Sequence, residues 1–144
     1  MDIYTKVAEI TNESVKDYKN HALPNHMVGR QEMRQKQIEN ALQGFAAGCT
    51  EEDIEAFCDT SVFANGKRGF LFSKKGLYGS IFDHLRRKNP IPQPICYDEL
   101  SYVSVAEDSA DYMCLYYKDG RRESVWGSIY TGFLVTALKL ILGT

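Results

Sequence analysis

Apolar residues recur at helical spacing early in the chain, run in short blocks through its middle, and return to helical spacing at its end. Residues from about 1 to 59 therefore read as helical, about 60 to 126 as strands, and the last stretch as helix. Ile3, Val7 and Ile10 share one helical face. Val15, Tyr18 and Ala22 continue it after a break at Thr11-Asn12. Leu23-Pro24-Asn25 ends that element, because proline disfavours helix in the residue before it. A second helix is predicted from about Gln31 to Ala47, with Ile38, Ala41, Leu42 and Phe45 inward and Gly48 as its stop. A third, short helix is predicted to begin at Thr50, which caps it. Glu51, Glu52 and Asp53 fill its first turn, and Ile54, Phe57 and Cys58 form its inner face.

From Asp59 the punctuation changes. Ser61-Val62-Phe63 leads to Asn65-Gly66, a strong turn signal. Gly69-Phe70-Leu71-Phe72 reads as a strand and Ser73-Lys74-Lys75-Gly76 as a turn, with Gly76 able to take positive φ. Leu77 to Ile81 reads as the partner strand. Residues 82–94, with Arg86-Arg87-Lys88 and Pro90, Pro92 and Pro94, read as an exposed loop, with or without one helical turn at its start. Ile95-Cys96-Tyr97 and Tyr102 to Val105 are short strands. Tyr112 to Tyr117, the turn Lys118-Asp119-Gly120, and Arg122 to Trp126 form the clearest hairpin. A final helix runs from about Ile129 to Leu142. Strands grouped between helices predict an α+β fold rather than alternating α/β.

Composition narrows the class. The chain has 144 residues, 44% apolar and 25% charged, which suits one compact domain and excludes a disordered or low-complexity chain. A chain of this length buries enough surface to need no disulfide or metal staple. The start has no basic segment followed by an apolar one, so no secretory signal is expected. The most apolar stretch, Phe133 to Leu142, is far short of the ~20 residues that span a bilayer and is broken by Lys139. It reads as a core helix. Cys49, Cys58, Cys96 and Cys114 form no C-x-x-C pair and sit among apolar neighbours, so they read as small core hydrophobes in a reducing cytoplasm. No phosphate-binding glycine loop, zinc-ligand spacing or nucleophile elbow is present, and no cofactor or metal is expected.

Gly69 to Tyr78, an apolar strand, a Ser-Lys-Lys-Gly turn and a Leu-Tyr strand, resembles the first hairpin of bacterial pleckstrin-homology-like domains. Ala56 to Phe63 looks like the lead-in of those proteins. Ile95-Cys96-Tyr97-Asp98-Glu99-Leu100 resembles their third strand, where a Tyr precedes an acidic pair and an apolar residue. The resemblance covers about residues 55–142. It implies an antiparallel β-barrel whose open end is plugged by the C-terminal helix. On that division residues 1–50 form an N-terminal helical extension and residues 51–144 the pleckstrin-homology-like domain. Many members of the family have no assigned function, so the resemblance implies a fold more than an activity. Lipid-binding relatives carry basic residues across the loop joining their first two strands, and here that turn holds Lys74 and Lys75.

Charge is unevenly spread. Residues 66–90 hold seven Lys/Arg (Lys67, Arg68, Lys74, Lys75, Arg86, Arg87 and Lys88) against one acid, Asp83. Residues 1–65 hold six against eleven, and residues 91–144 hold four against seven, giving −2 for the whole chain. That near-neutral total argues against nucleic acid as a partner. The seven cations are the candidate anion-binding residues; the bland reading is separate solvated turns. The main expectation is a non-enzymatic, cytoplasmic binding or scaffold module whose partner is another protein or a second copy. Two alternatives stand beside it. One is weak docking on an anionic membrane or phosphate through the basic residues. The other is a small cysteine-dependent enzyme with Cys58 as nucleophile and Asp59 and His84 as helpers. Trp126 reads as a core or barrel-rim residue.

Overall fold

The computed structural model describes residues 2–80 and 94–144. The chain opens with two short helices, α1 (Ile3–Ala8) and α2 (Asn12–Val15). Asp2 caps α1 by accepting from Thr5 N at 2.7 Å. The expected break at Thr11 is the cap of α2, where Thr11 and Ser14 exchange side-chain-to-backbone hydrogen bonds. α2 stops at Val15, so the helix expected through Ala22 does not form. Val7 and Val15 are buried nonetheless, because they face the main core.

Two elements depart from the helical reading of the first third. Met27–Gly29 is a strand, β1, and α3 covers only Gln35–Gln43, preceded by a 3-10 turn at Arg30–Glu32. The helix expected after Thr50 is one 3-10 turn, Glu51–Asp53, followed by a strand, β2 (Ile54–Asp59). β2 pairs antiparallel with β1 on one side and with β3 (Gly69–Ser73) on the other. β4 (Gly76–Gly79) and β5 (Ile95–Cys96) complete a five-stranded sheet in the order β1-β2-β3-β4-β5.

This sheet is covered on both faces. Ala56, Cys58, Phe70, Phe72, Leu77 and Ile95 point into the main core, shared with α1, α2 and the C-terminal helix. Ile54, Phe57, Leu71 and Tyr78 point the other way, onto Ile38 and Ala41 of α3. Burial of both faces leaves no polar alternation to read.

Two glycines answer to space. Gly69 sits at φ 146°, and a Cβ there would lie 2.0 Å from the Cys58 carbonyl oxygen. Gly76 does not use positive φ; its need is for space, because a Cβ there would lie 2.8 Å from Pro94 Cβ.

A 3-10 turn at Tyr97–Glu99 carries the chain into a second antiparallel sheet, β6 (Leu100–Val105), β7 (Tyr112–Tyr117) and β8 (Arg122–Trp126). The β7–β8 hairpin matches its sequence reading, with Gly120 at φ 93° in the turn. α4 (Thr131–Leu142) starts two residues later than expected and ends on Gly143 at φ 78°, whose N–H reaches the Leu140 carbonyl. Phe133, Leu134 and Leu138 are buried, and Ile141 packs partly buried against the same core. The molecule is therefore α+β, with two antiparallel sheets and a C-terminal helix. Among the described residues the sheets do not close into the expected barrel. Residues 1–50 contribute β1 to the larger sheet and Val7, Ile10 and Val15 to the main core. Among the described residues no helix is long and apolar enough to cross a membrane.

Candidate docking site

The loop between β2 and β3 is organised by one carboxylate. Asp59, at the end of β2, is only 6% exposed. Its Oδ1 accepts from Ser61 N at 2.9 Å and from Ser61 Oγ. Its Oδ2 accepts from Gly66 N at 2.9 Å and from Gln37 Nε2, on α3, at 3.0 Å. Four donors on one carboxylate fix both ends of the loop and tie it to α3. Further bonds hold the loop crest. Gln37 Nε2 and the Arg34 guanidinium both donate to Ala64 O, and Asn40 Nδ2 donates to Asn65 O at 2.6 Å. Ser61 Oγ accepts from Asn65 N at 3.0 Å.

Asn65-Gly66 is a turn, as expected, with Gly66 at φ 79°; a Cβ there would strike the Gln37 backbone at 2.4 Å. Ser61-Val62-Phe63 is not part of a strand. Ala64 takes a left-handed φ of 50°, and the crest projects Val62 and Phe63 into solvent, 92% and 83% exposed. Two adjacent large apolar side chains thus stand on a loop that is bonded in place. The sequence signal was present but slight: an apolar pair between Thr60-Ser61 and Asn65-Gly66, followed at once by Lys67-Arg68.

The candidate cations fall into separate places. Lys67 and Arg68 are exposed where the loop re-enters β3; Lys67 N donates to Asn65 Oδ1 and Arg68 O accepts from Thr60 N. Arg34 joins them from α3's N-terminal end. Lys74 and Lys75 are exposed in the β3–β4 turn, at the opposite end of five-residue β3, with Arg68 and Lys74 about 20 Å apart at ~3.3 Å per residue. The four described cations therefore do not gather at one end of the sheet. Arg86, Arg87, Lys88 and His84 lie outside the described residues.

At the Ile54 end of β2 lies a cleft of about 460 Å³ lined by Asp2, Tyr4, Glu32, Ile54, Glu52 and Glu55, together with Arg30 and Lys74. Arg30 is engaged by Glu51, Nη2 to Oε1 at 2.7 Å and Nε to the carbonyl at 3.1 Å. The cleft is therefore net acidic. An apolar recess of about 120 Å³ lies between α1 and the Leu23-Pro24 turn, with Cys58 and Phe133 in its wall. On the outer face of the second sheet, Tyr102 and Tyr116 lie 5.7 Å apart, with Arg122 over Tyr116 and Lys139 over Tyr102.

The cysteine chemistry is muted. Burial pushes the Cys58 thiol far above the ordinary thiol range, and burial followed by the Asp53 charge pushes Cys49 up to about 11. Both are thiols at neutral pH, and thiols are poor nucleophiles. The bonds made by Asp59 serve the loop. Trp126 is half-buried opposite Tyr112. Among the described residues no group of three or more His, Cys, Asp or Glu could hold a metal ion. Comparison of the chain with family models, with curated proteins and with solved structures finds no match.

Proposed function

We propose that this chain is a non-enzymatic docking module that engages a protein partner through the Val62–Phe63 crest. The observation that carries this reading is the near-complete exposure of two adjacent apolar side chains on a loop pinned by Asp59. Leaving Val and Phe wet forgoes about 1.5–3 kcal/mol each relative to burial, and single scattered apolar residues are the ordinary surface pattern. A paired, rigidly presented crest is what a contact surface requires, because little ordering entropy remains to be lost on binding. Two antiparallel sheets followed by a packed C-terminal helix support a fold of the pleckstrin-homology-like type. A cytoplasmic setting suits four cysteines that are all free thiols.

The basic neighbours of the crest favour a second reading, an anionic membrane. Lys67, Arg68 and Arg34 would supply about 1 kcal/mol each near such a surface. Three cations fall short of the roughly four to eight that mark a lipid-binding cluster, so the protein reading is preferred.

The test is a photo-crosslinking side chain placed at position 63 in the full chain. Discrete protein adducts are expected from position 63 and none from exposed position 108. Absence of adducts at both overturns the docking reading. Alongside, Val62→Ser/Phe63→Ser is expected to unfold within about 0.5 kcal/mol of wild type. A loss above about 2 kcal/mol would place these side chains in a core and end the reading.

A further inference from the structure

We infer that the partner of the crest is a second copy of this chain, which receives Val62 and Phe63 in its acidic cleft; this rests on the docking reading above. The two surfaces lie at opposite ends of one strand. β2 runs from Ile54, which lines the cleft, to Asp59, which builds the crest loop. Five steps at ~3.3 Å separate them by about 17 Å. A molecule therefore cannot fill its own cleft, and its crest is left for another.

The surfaces complement each other in charge. The crest carries Lys67, Arg68 and Arg34. The cleft presents Asp2, Glu32, Glu52 and Glu55 against two cations, Lys74 and an Arg30 that Glu51 engages, and so stays net acidic. The cleft also has room for the crest: at about 460 Å³ it lies within the ~300–1,000 Å³ span of ligand pockets. Its wall includes the Tyr4 ring, which lies against the open side of Gly29. An aromatic anchor seated against Tyr4 supplies contact energy, and the opposite charges at the rim supply register and on-rate.

Crest and cleft are different surfaces, so the contact is heterologous. Each seated copy still offers a crest at one end and a cleft at the other, and association continues along the strand direction as an open chain. No closed dimer is expected from this contact.

Analytical ultracentrifugation of the full chain, from micromolar to millimolar concentration, tests this. Wild type is expected to grow beyond dimer as concentration rises and to dissociate as salt is added. Val62→Ser/Phe63→Ser removes the crest, with an expected loss of about thirtyfold or more in association constant. Gly29→Leu fills the cleft. Gly29 has extended backbone, and an added Cβ meets the Tyr4 ring and Glu32 at 3.6–3.7 Å, ordinary van der Waals contact. Glu52→Lys/Glu55→Lys reverses the cleft charge and serves as a second cleft variant. Each variant alone is expected to be monomeric. Mixed, a crest variant and a cleft variant retain one good crest and one good cleft between them, and they are expected to form a one-to-one dimer that grows no further.

Wild type that stays monomeric throughout, or variants that fail to complement, overturns self-docking. If position 63 still crosslinks to a different protein, the docking reading survives that failure. Crest-dependent sedimentation with vesicles of phosphatidylcholine containing one third phosphatidylserine, without self-association, overturns it in favour of a lipid surface.

Discussion

Removing the Asp59 carboxylate is the perturbation that reaches furthest into the crest. In Asp59→Ala, one acceptor that serves four donors is lost. The two Ser61 donors are partly exposed, and water replaces the carboxylate there at little cost. Gly66 N and Gln37 Nε2 are buried, and each costs about 1–3 kcal/mol when stranded, so the sum spans roughly 2–6 kcal/mol. Gln37 Nε2 keeps its second bond, to Ala64 O at 3.1 Å, which moves the expectation towards the lower half, about 3 kcal/mol. Asp59→Asn preserves shape and one acceptor but turns an amide N–H₂ towards groups that are themselves donors, for an expected loss of about 2 kcal/mol. Urea unfolding gives the global value, and amide hydrogen exchange gives the local one. Exchange at Ser61, Asn65 and Gly66 is expected to accelerate in both variants, and docking is expected to fall although Val62 and Phe63 are untouched. A loss below about 1 kcal/mol with unchanged exchange at Ser61 and Gly66 would refute the assignment of Asp59 as the loop's anchor.

Other outcomes follow from the core and the buried groups. Gly69→Ala forces a Cβ against the Cys58 carbonyl at 2.0 Å in a backbone region that L side chains rarely adopt; a loss of about 2 kcal/mol or more is expected by chemical denaturation. Leu134→Ala, at a fully buried site on α4, is expected to cost about 2–5 kcal/mol in the same assay. Tyr97 Oη donates to Ser73 O at 2.9 Å inside the protein, so Tyr97→Phe strands that carbonyl and is expected to cost about 1–3 kcal/mol. Cys49 titrates near 11 when folded against an ordinary 9. Its folded form holds a proton that the unfolded form releases, so its contribution is intact below pH 9 and is lost as pH rises from 9 to 11. Cys49→Ser is expected to flatten that decline in pH-dependent unfolding.

How much of this was legible depends on how local each cause is. The break at Thr11, the β7–β8 hairpin and the apolar run of α4 are written in neighbouring residues, and each was readable. β1 was not, because three residues carry no period. β2 was misread as a helix for two physical reasons. Both its faces are buried, so polar alternation is missing, and a bulge between Ile54 and Ala56 puts Ile54 and Phe57 on one face at a helical i, i+3 spacing. The cations between residues 66 and 75 cluster in sequence, yet β3 intervenes and sends them to opposite ends of the sheet. The crest was the least visible feature. Its exposure is decided by Gln37 and Arg34, which lie some two dozen residues earlier on α3 and meet the loop only when β2 is in place.

Val62 and Phe63 stand in water on a fixed loop. Paramagnetic relaxation by an inert, soluble nitroxide, read at the Val62 methyls and the Phe63 ring by NMR at high dilution, measures this directly. Broadening equal to that of an unfolded peptide, together with slow exchange at the Ser61 and Gly66 amides, is the expected result. Val62 and Phe63 signals as shielded as those of Leu134 at the same dilution would contradict an exposed crest.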